Sequence, residues 1–124
     1  MQNNIVGSTS FYELTEETPD GKDQHQTGAK LDAGKERLDL VLGSFSEALL
    51  EVGRVGTFGA NKYTDNGWKD VDNAVSRYSD ALLRHYFKHK CGEDIDPDSG
   101  LSHLGHMAWN ALAILEFYKK EEML

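Results

Sequence analysis

The residues able to do chemistry crowd into the stretch from Arg77 to Asn110, where Arg84, His85, Glu93, Asp96, His103 and His106 fall within a few turns of chain. His103, His106 and Asn110 recur at i, i+3 and i+7, one line along a helix, so three polar side chains interrupt an apolar segment. Two imidazoles three residues apart suit a metal or proton-transfer site, and Asp96 with His85 could complete a metal set around them. The plain alternative is a pair of satisfied core histidines. A second candidate site is acidic. Glu47 and Glu51 lie four apart on one face, and Asp80 facing them across a helix pair would give an oxygen-rich site suited to Mg2+ (or Mn2+). Asp80, Arg84 and Lys88 also have the spacing of ordinary ion pairs along a helix. Lys30, Lys35, Arg37, Lys62 and Arg84 are candidate phosphate contacts, while Tyr63 and Trp68 offer aromatic faces for a base. Trp68 reads equally as a packing anchor. No Walker-type loop is present, because the glycines from Gly53 to Gly59 lack a following Gly-Lys-Ser/Thr.

Three helices must position these groups. The first is expected from about Ser44 to Phe58, opened by a Ser44/Glu47 capping box and carrying Phe45, Ala48, Leu49, Val52 and Val55 as its apolar stripe. Residues 59–68 read as an ordered loop. The second helix is expected from about Asp70 to Lys90, with Val71, Ala74, Val75, Tyr78, Leu82 and Tyr86 or Phe87 inward, and Gly92 ending it. The third starts near Ser99 or Ser102 and runs to about Glu121, with Leu104, Met107, Ala108, Ala111, Leu112, Leu115 and Tyr118 in its apolar positions. Residues 1–28 are polar and turn-rich and read as a flexible or partner-docked arm, although Phe11-Tyr12-Glu13-Leu14 is too apolar for pure linker. Residues 29–121 form the helical domain. The fold class is therefore mainly α: a small domain of about three core helices with an irregular N-terminal arm, expected to associate as a homo-oligomer because so few elements bury little area alone.

With 124 residues, one domain is expected. A formal net charge of −8 argues against a duplex nucleic acid partner, since such proteins gain affinity by neutralising phosphates. A local cationic pocket for a small phosphorylated ligand remains compatible with that charge. Cys91 is the sole cysteine, so no intrachain disulfide forms and a reducing cytoplasm is the natural compartment. No apolar run approaches the roughly 20 residues of a membrane helix, so no membrane partner is expected.

Two early segments, Lys30 to Leu38 and Phe58-Gly59-Ala60-Asn61-Lys62-Tyr63 with Asn66-Gly67-Trp68, resemble the opening of the phage-encoded dATP/dGTP diphosphohydrolase family, N-terminal domain type. The later segments resemble it more specifically: Ala81-Leu82-Leu83-Arg84-His85, Gly92 to Gly100, and His103-Leu104-Gly105-His106. The resemblance covers about residues 29–117. It implies metal-assisted hydrolysis of purine deoxynucleoside triphosphates to monophosphate and pyrophosphate, in the host cytoplasm if the protein is phage-encoded, and a MazG-like bundle as a possible architecture. Under that reading Glu47, Glu51, Asp80 and Asp96 hold metal. Glu51, Asp80, His85, His103 and His106 serve the chemistry, the cations grip phosphates, and Tyr63, Trp68 and Asn110 contact the base. The first acidic pair here is Glu47-x-x-x-Glu51, where the MazG-type enzymes carry Glu-x-x-Glu followed by Glu-x-x-Asp. The rival function is a phage protein that sequesters a nucleotide signal of host defence without cleaving it.

Overall fold

The computed structural model describes residues 20–123, so the Phe11 to Leu14 patch and most of the expected arm lie outside the described residues. The chain divides into two compact units, residues 1–44 and 45–124. In the first unit the described residues are mostly turns, with Gly21, Gly28 and Gly34 at positive φ, followed by the short helix α1 over Leu38–Leu42. Lys30, Lys35 and Arg37 belong to this unit, all exposed.

The second unit is mainly helical, as expected. It consists of α2 (Ser46–Lys62), a 3-10 turn (Gly67–Asp70), α3 (Ala74–Lys90), an antiparallel pair β1 (Ile95–Asp96) and β2 (Leu101–Ser102), and α4 (His103–Met123). Helix α4 packs most extensively on α3 and also against α2. Three boundaries differ from expectation. Ser44 does not cap α2, because its hydroxyl donates to the Leu40 carbonyl at 2.7 Å, and Phe45 takes the N-cap position without a side-chain bond. Residues 59–62, expected in a loop, continue α2, whose end is set by Tyr63. The helix expected from Asp70 begins instead at Ala74, after Asn73 has turned the chain with φ of 54°.

The end of α3 matches the sequence closely. Gly92 takes φ of +97°, its N–H donates to the His89 carbonyl, and the Glu93 N–H donates to the Lys88 carbonyl. This pair of bonds is the Schellman closure, which satisfies the last free carbonyls and fixes where the chain leaves. Residues 97–100 then turn the chain between β1 and β2. An Asp96 carboxylate oxygen accepts from the Asp98 N–H at 3.0 Å, and the Gly100 N–H donates to the Asp96 carbonyl at 2.8 Å.

Helix α4 is turned over relative to the expected stripe. Leu104, Leu112, Leu115 and Tyr118 are about half exposed, and Ala108 and Ala111 are exposed too. His103, His106, Asn110 and Ala113 are buried instead. The reason lies in the neighbours. Trp109 and Phe117 flank that polar line and join Trp68 and Tyr78 in an edge-to-face cluster, with Trp109 centroids 5.6 Å from both Trp68 and Tyr78. Pairs of this kind add about 0.5–1.5 kcal/mol each beyond area burial. On α3, Tyr86 and Phe87, one or the other of which is expected inward, are both exposed.

Close approach between α2 and α4 depends on glycine. A Cβ at Gly105 would lie 2.9 Å from the Glu51 side chain and 3.0 Å from the Ser102 hydroxyl. Gly105→Ala is therefore expected to destabilise the protein by about 1–3 kcal/mol, the cost of overpacking, despite alanine's better helix propensity. A urea midpoint equal to that of the unmodified protein would show that α2 yields freely.

Candidate functional site

The site sits where α3 ends and α4 begins. His85 lies on α3, Asp96 closes β1, and His106 stands one turn into α4. One ligand-capable atom from each of these three lies within 4.8 Å of the others, and among the described residues this is the group of His, Cys, Asp and Glu side chains able to hold a metal ion. The His85 and His106 rings stack at 4.5 Å with 9° between their planes. To share one ion the rings must tilt from that stack so that each lone pair points at it.

Each of the three is held from outside the group. Asp96 uses Oδ1 for the Asp98 N–H, while Oδ2 lies 3.7 Å from His106 Nε2. The Ser99 hydroxyl sits 2.7 Å from His106 Nε2 and accepts from the Leu101 N–H at 3.1 Å. Phe58 packs edge-on to the same imidazole. His85 Nδ1 meets His103 Nδ1 at 2.8 Å, and His103 Nε2 meets Glu93 Oε2 at 2.7 Å. Burial, and next the neighbouring His106, push the His85 pKa down to about 4 against the pull of Asp96. Burial also lowers that of His106, with Asp96 opposing it. Both imidazoles are therefore neutral near pH 7, the form that binds metal.

These shifts set a sign for stability. In the unfolded chain His85 titrates near its ordinary value of about 6.5, so the folded state disfavours its proton. Its contribution is complete above that pH and is lost as pH falls toward 4. Thermal midpoints of the metal-free protein are expected to fall steadily from pH 7 to pH 4.5, and His85→Asn is expected to flatten the decline. A midpoint independent of pH in that window would contradict the assigned burial.

The other expected site residues are placed differently. Glu47 and Asp80 are exposed and, with Glu51, form no metal-holding group among the described residues. Glu51 is drawn away by a stronger demand: its Oε2 accepts the Ser102 N–H at 3.1 Å, while the Ser102 hydroxyl accepts the Gly105 N–H at 3.0 Å. Together they cap α4 in the manner of a capping box whose carboxylate comes from another helix. The Ser102 N–H is the first cause of the lowered Glu51 pKa. Of the expected metal set, only Asp96 stands in the group, joined by His85 and His106 from the expected catalytic set.

Trp68 belongs to the aromatic cluster, and its carbonyl accepts from the Tyr78 hydroxyl at 2.9 Å. Asn110 is buried and donates to the His106 carbonyl at 2.8 Å, so its amide supports the helix rather than facing a ligand. Tyr63 is 74% exposed. Lys62 pairs with Asp98 at 2.9 Å, which raises the lysine pKa and lowers that of the carboxyl. Arg84 is exposed and near enough to His85 to act on it electrostatically. Ser99 escaped the sequence reading as a site residue, although the Asp96-Pro97-Asp98-Ser99-Gly100 turn contains the signal: small side chains that hydrogen-bond their own loop.

No helix of the described residues is long and apolar enough to cross a membrane. No solved structure matches the chain. A curated relative, a dATP/dGTP diphosphohydrolase of Salmonella phage PMBT28, is 37% identical over 82 residues, which cover 66% of this chain and 27% of the relative. The chain thus spans about a quarter of that relative's length. The family described as dATP/dGTP diphosphohydrolase, N-terminal, matches residues 25–124, a range that holds the whole α3, turn and α4 assembly, and the chain belongs to this family.

Proposed function

We propose that this chain hydrolyses purine deoxynucleoside triphosphates, dATP and dGTP, to the monophosphate and pyrophosphate, assisted by a divalent cation held by His85, Asp96 and His106. The observation that carries the reading is the convergence of those three side chains in a member of this family. A bound cation supplies Lewis-acid chemistry, polarising the phosphoryl oxygen and offsetting charge on the pyrophosphate leaving group. Two imidazoles and one carboxylate suit Mn2+ better than Mg2+, which prefers oxygen ligands throughout. Arg84 neighbours His85 on α3 and Lys62 pairs with Asp98 of the turn, and both are assigned to hold phosphate oxygens, Lys62 by exchanging that carboxylate for phosphate. An open groove of about 600 Å³, lined by Leu49, Arg54, Thr57, Phe58, Asn61 and Ser99, runs up to the residue that holds His106 and is the place for the nucleoside.

Incubation of the purified chain with dGTP or dATP and Mn2+ is expected to release pyrophosphate, and chelation to stop it. Intact triphosphate recovered in stoichiometric amount from denatured protein would instead favour sequestration. The same reading includes self-association through the apolar outer face of α4, where Leu104, Leu112, Leu115 and Tyr118 stay uncovered. Light scattering should give a mass of at least two chains, falling to one for Leu112→Glu with Leu115→Glu; a single-chain mass for the unmodified protein rejects it.

A further inference from the structure

Two hydrogen bonds run in series into the metal-ligand group without belonging to it. Glu93 Oε2 meets His103 Nε2 at 2.7 Å, and His103 Nδ1 meets His85 Nδ1 at 2.8 Å. The Glu93 side chain is 48% exposed and that of His103 is 0% exposed, so the chain of bonds leads from a water-facing carboxylate through an enclosed ring.

The positions of the protons come from counting donors. A carboxylate only accepts, so His103 Nε2 carries a hydrogen. A neutral imidazole has one N–H, which leaves His103 Nδ1 as a lone pair that must accept. The donor facing it is then the Nδ1–H of His85. That uses the one proton of neutral His85, and its Nε2 is left as a lone pair, the form in which imidazole ligates a metal. The opposite polarity needs a cationic His103 donating to His85 Nδ1, which would put a hydrogen on His85 Nε2 and block it. Only the first polarity leaves His85 Nε2 as a lone pair facing away from the 2.8 Å bond to His103, so a metal-competent His85 requires it.

We propose that Glu93 and His103 are positioning residues that lock His85 in its Nδ1–H tautomer and so present Nε2 as a ready ligand for a divalent transition-metal cation such as Mn2+. The inference rests on the proposed metal set of His85, Asp96 and His106 and deepens it. Both partners are set by helix ends. The Schellman closure at Gly92 delivers Glu93, and His103 opens α4 with its N–H bonded to the Asp94 carbonyl at 2.9 Å. Outer partners of this kind typically change metal affinity by about 10–100-fold when removed.

The test reads proton position and Mn2+ binding, with no turnover. In the metal-free full chain at neutral pH, two-bond proton–nitrogen NMR of the imidazoles is expected to show His85 protonated at Nδ1 and His103 at Nε2. Calorimetry with Mn2+ alone is expected to give about 10–100-fold weaker binding for Glu93→Ala, which is exposed enough to fold, and substantial recovery for Glu93→Gln, which retains an acceptor oxygen. Asp96→Ala is expected to remove Mn2+ binding. A His85 ring protonated at Nε2, or unchanged Mn2+ affinity in Glu93→Ala while Asp96→Ala has lost it, overturns the relay and leaves the ligand set standing. Unchanged affinity in Asp96→Ala overturns both.

Discussion

Asp96→Asn is expected to lower metal-dependent pyrophosphate release by about 1000-fold or more, since a cation supplies several kcal/mol of transition-state stabilisation and each factor of ten in rate corresponds to about 1.36 kcal/mol. The substitution is chosen for what it leaves alone. Asn retains Oδ1, which accepts the Asp98 N–H and holds the turn, and replaces only Oδ2 with a group that cannot ligate. Its thermal midpoint should therefore stay within a few degrees of the unmodified protein. Glu47→Gln and Asp80→Asn, both on exposed side chains, are expected to change the rate by no more than about twofold. Full activity in Asp96→Asn, or a collapse in Asp80→Asn, would move the chemistry away from the α3 and α4 ends.

Trp109→Ala should have the largest effect on stability. Its indole touches Trp68 and Tyr78 within the cluster and lies over Gly56, where a Cβ would come within 3.3 Å of Nε1. Buried aliphatic side chains among the described residues of this unit are few and small: Val55, Ala74 and Ala113. Trp109 is partly buried, so its removal should cost about 3 kcal/mol, the low end for a packed tryptophan, against about 5–15 kcal/mol for the whole of a typical small domain. The thermal midpoint tracked by circular dichroism should drop by roughly 12 °C or more. A drop of only a few degrees would mean that the rings pack independently of α4.

The helices and several of their punctuation marks were legible in the sequence. Gly92 ends α3, and His103, His106 and Asn110 do share one line of α4. The direction of that line was not legible. Periodicity separates a polar from an apolar face but assigns the polar one to solvent by default, and here it points inward because each polar group has a partner: Glu93 and His85 for His103, Ser99 for His106, the His106 carbonyl for Asn110. The partners of the two histidines come from other segments. Glu51 shows the same limit. Its spacing from Glu47 suggested a shared metal, whereas a free N–H at Ser102, 51 residues along the chain, decides its orientation.

His85 and His106, the outermost ligands of the site, are both contained in one helix, turn and helix segment, so every bond of the ligand set closes over a short loop of chain. Local closure of this kind forms quickly and needs little help from distant sequence. The segment therefore has the properties of a portable cassette: a polypeptide could acquire the ligand set by gaining these few turns, and the α2 contacts of Glu51, Phe58 and Lys62 would be the remote ones to rebuild.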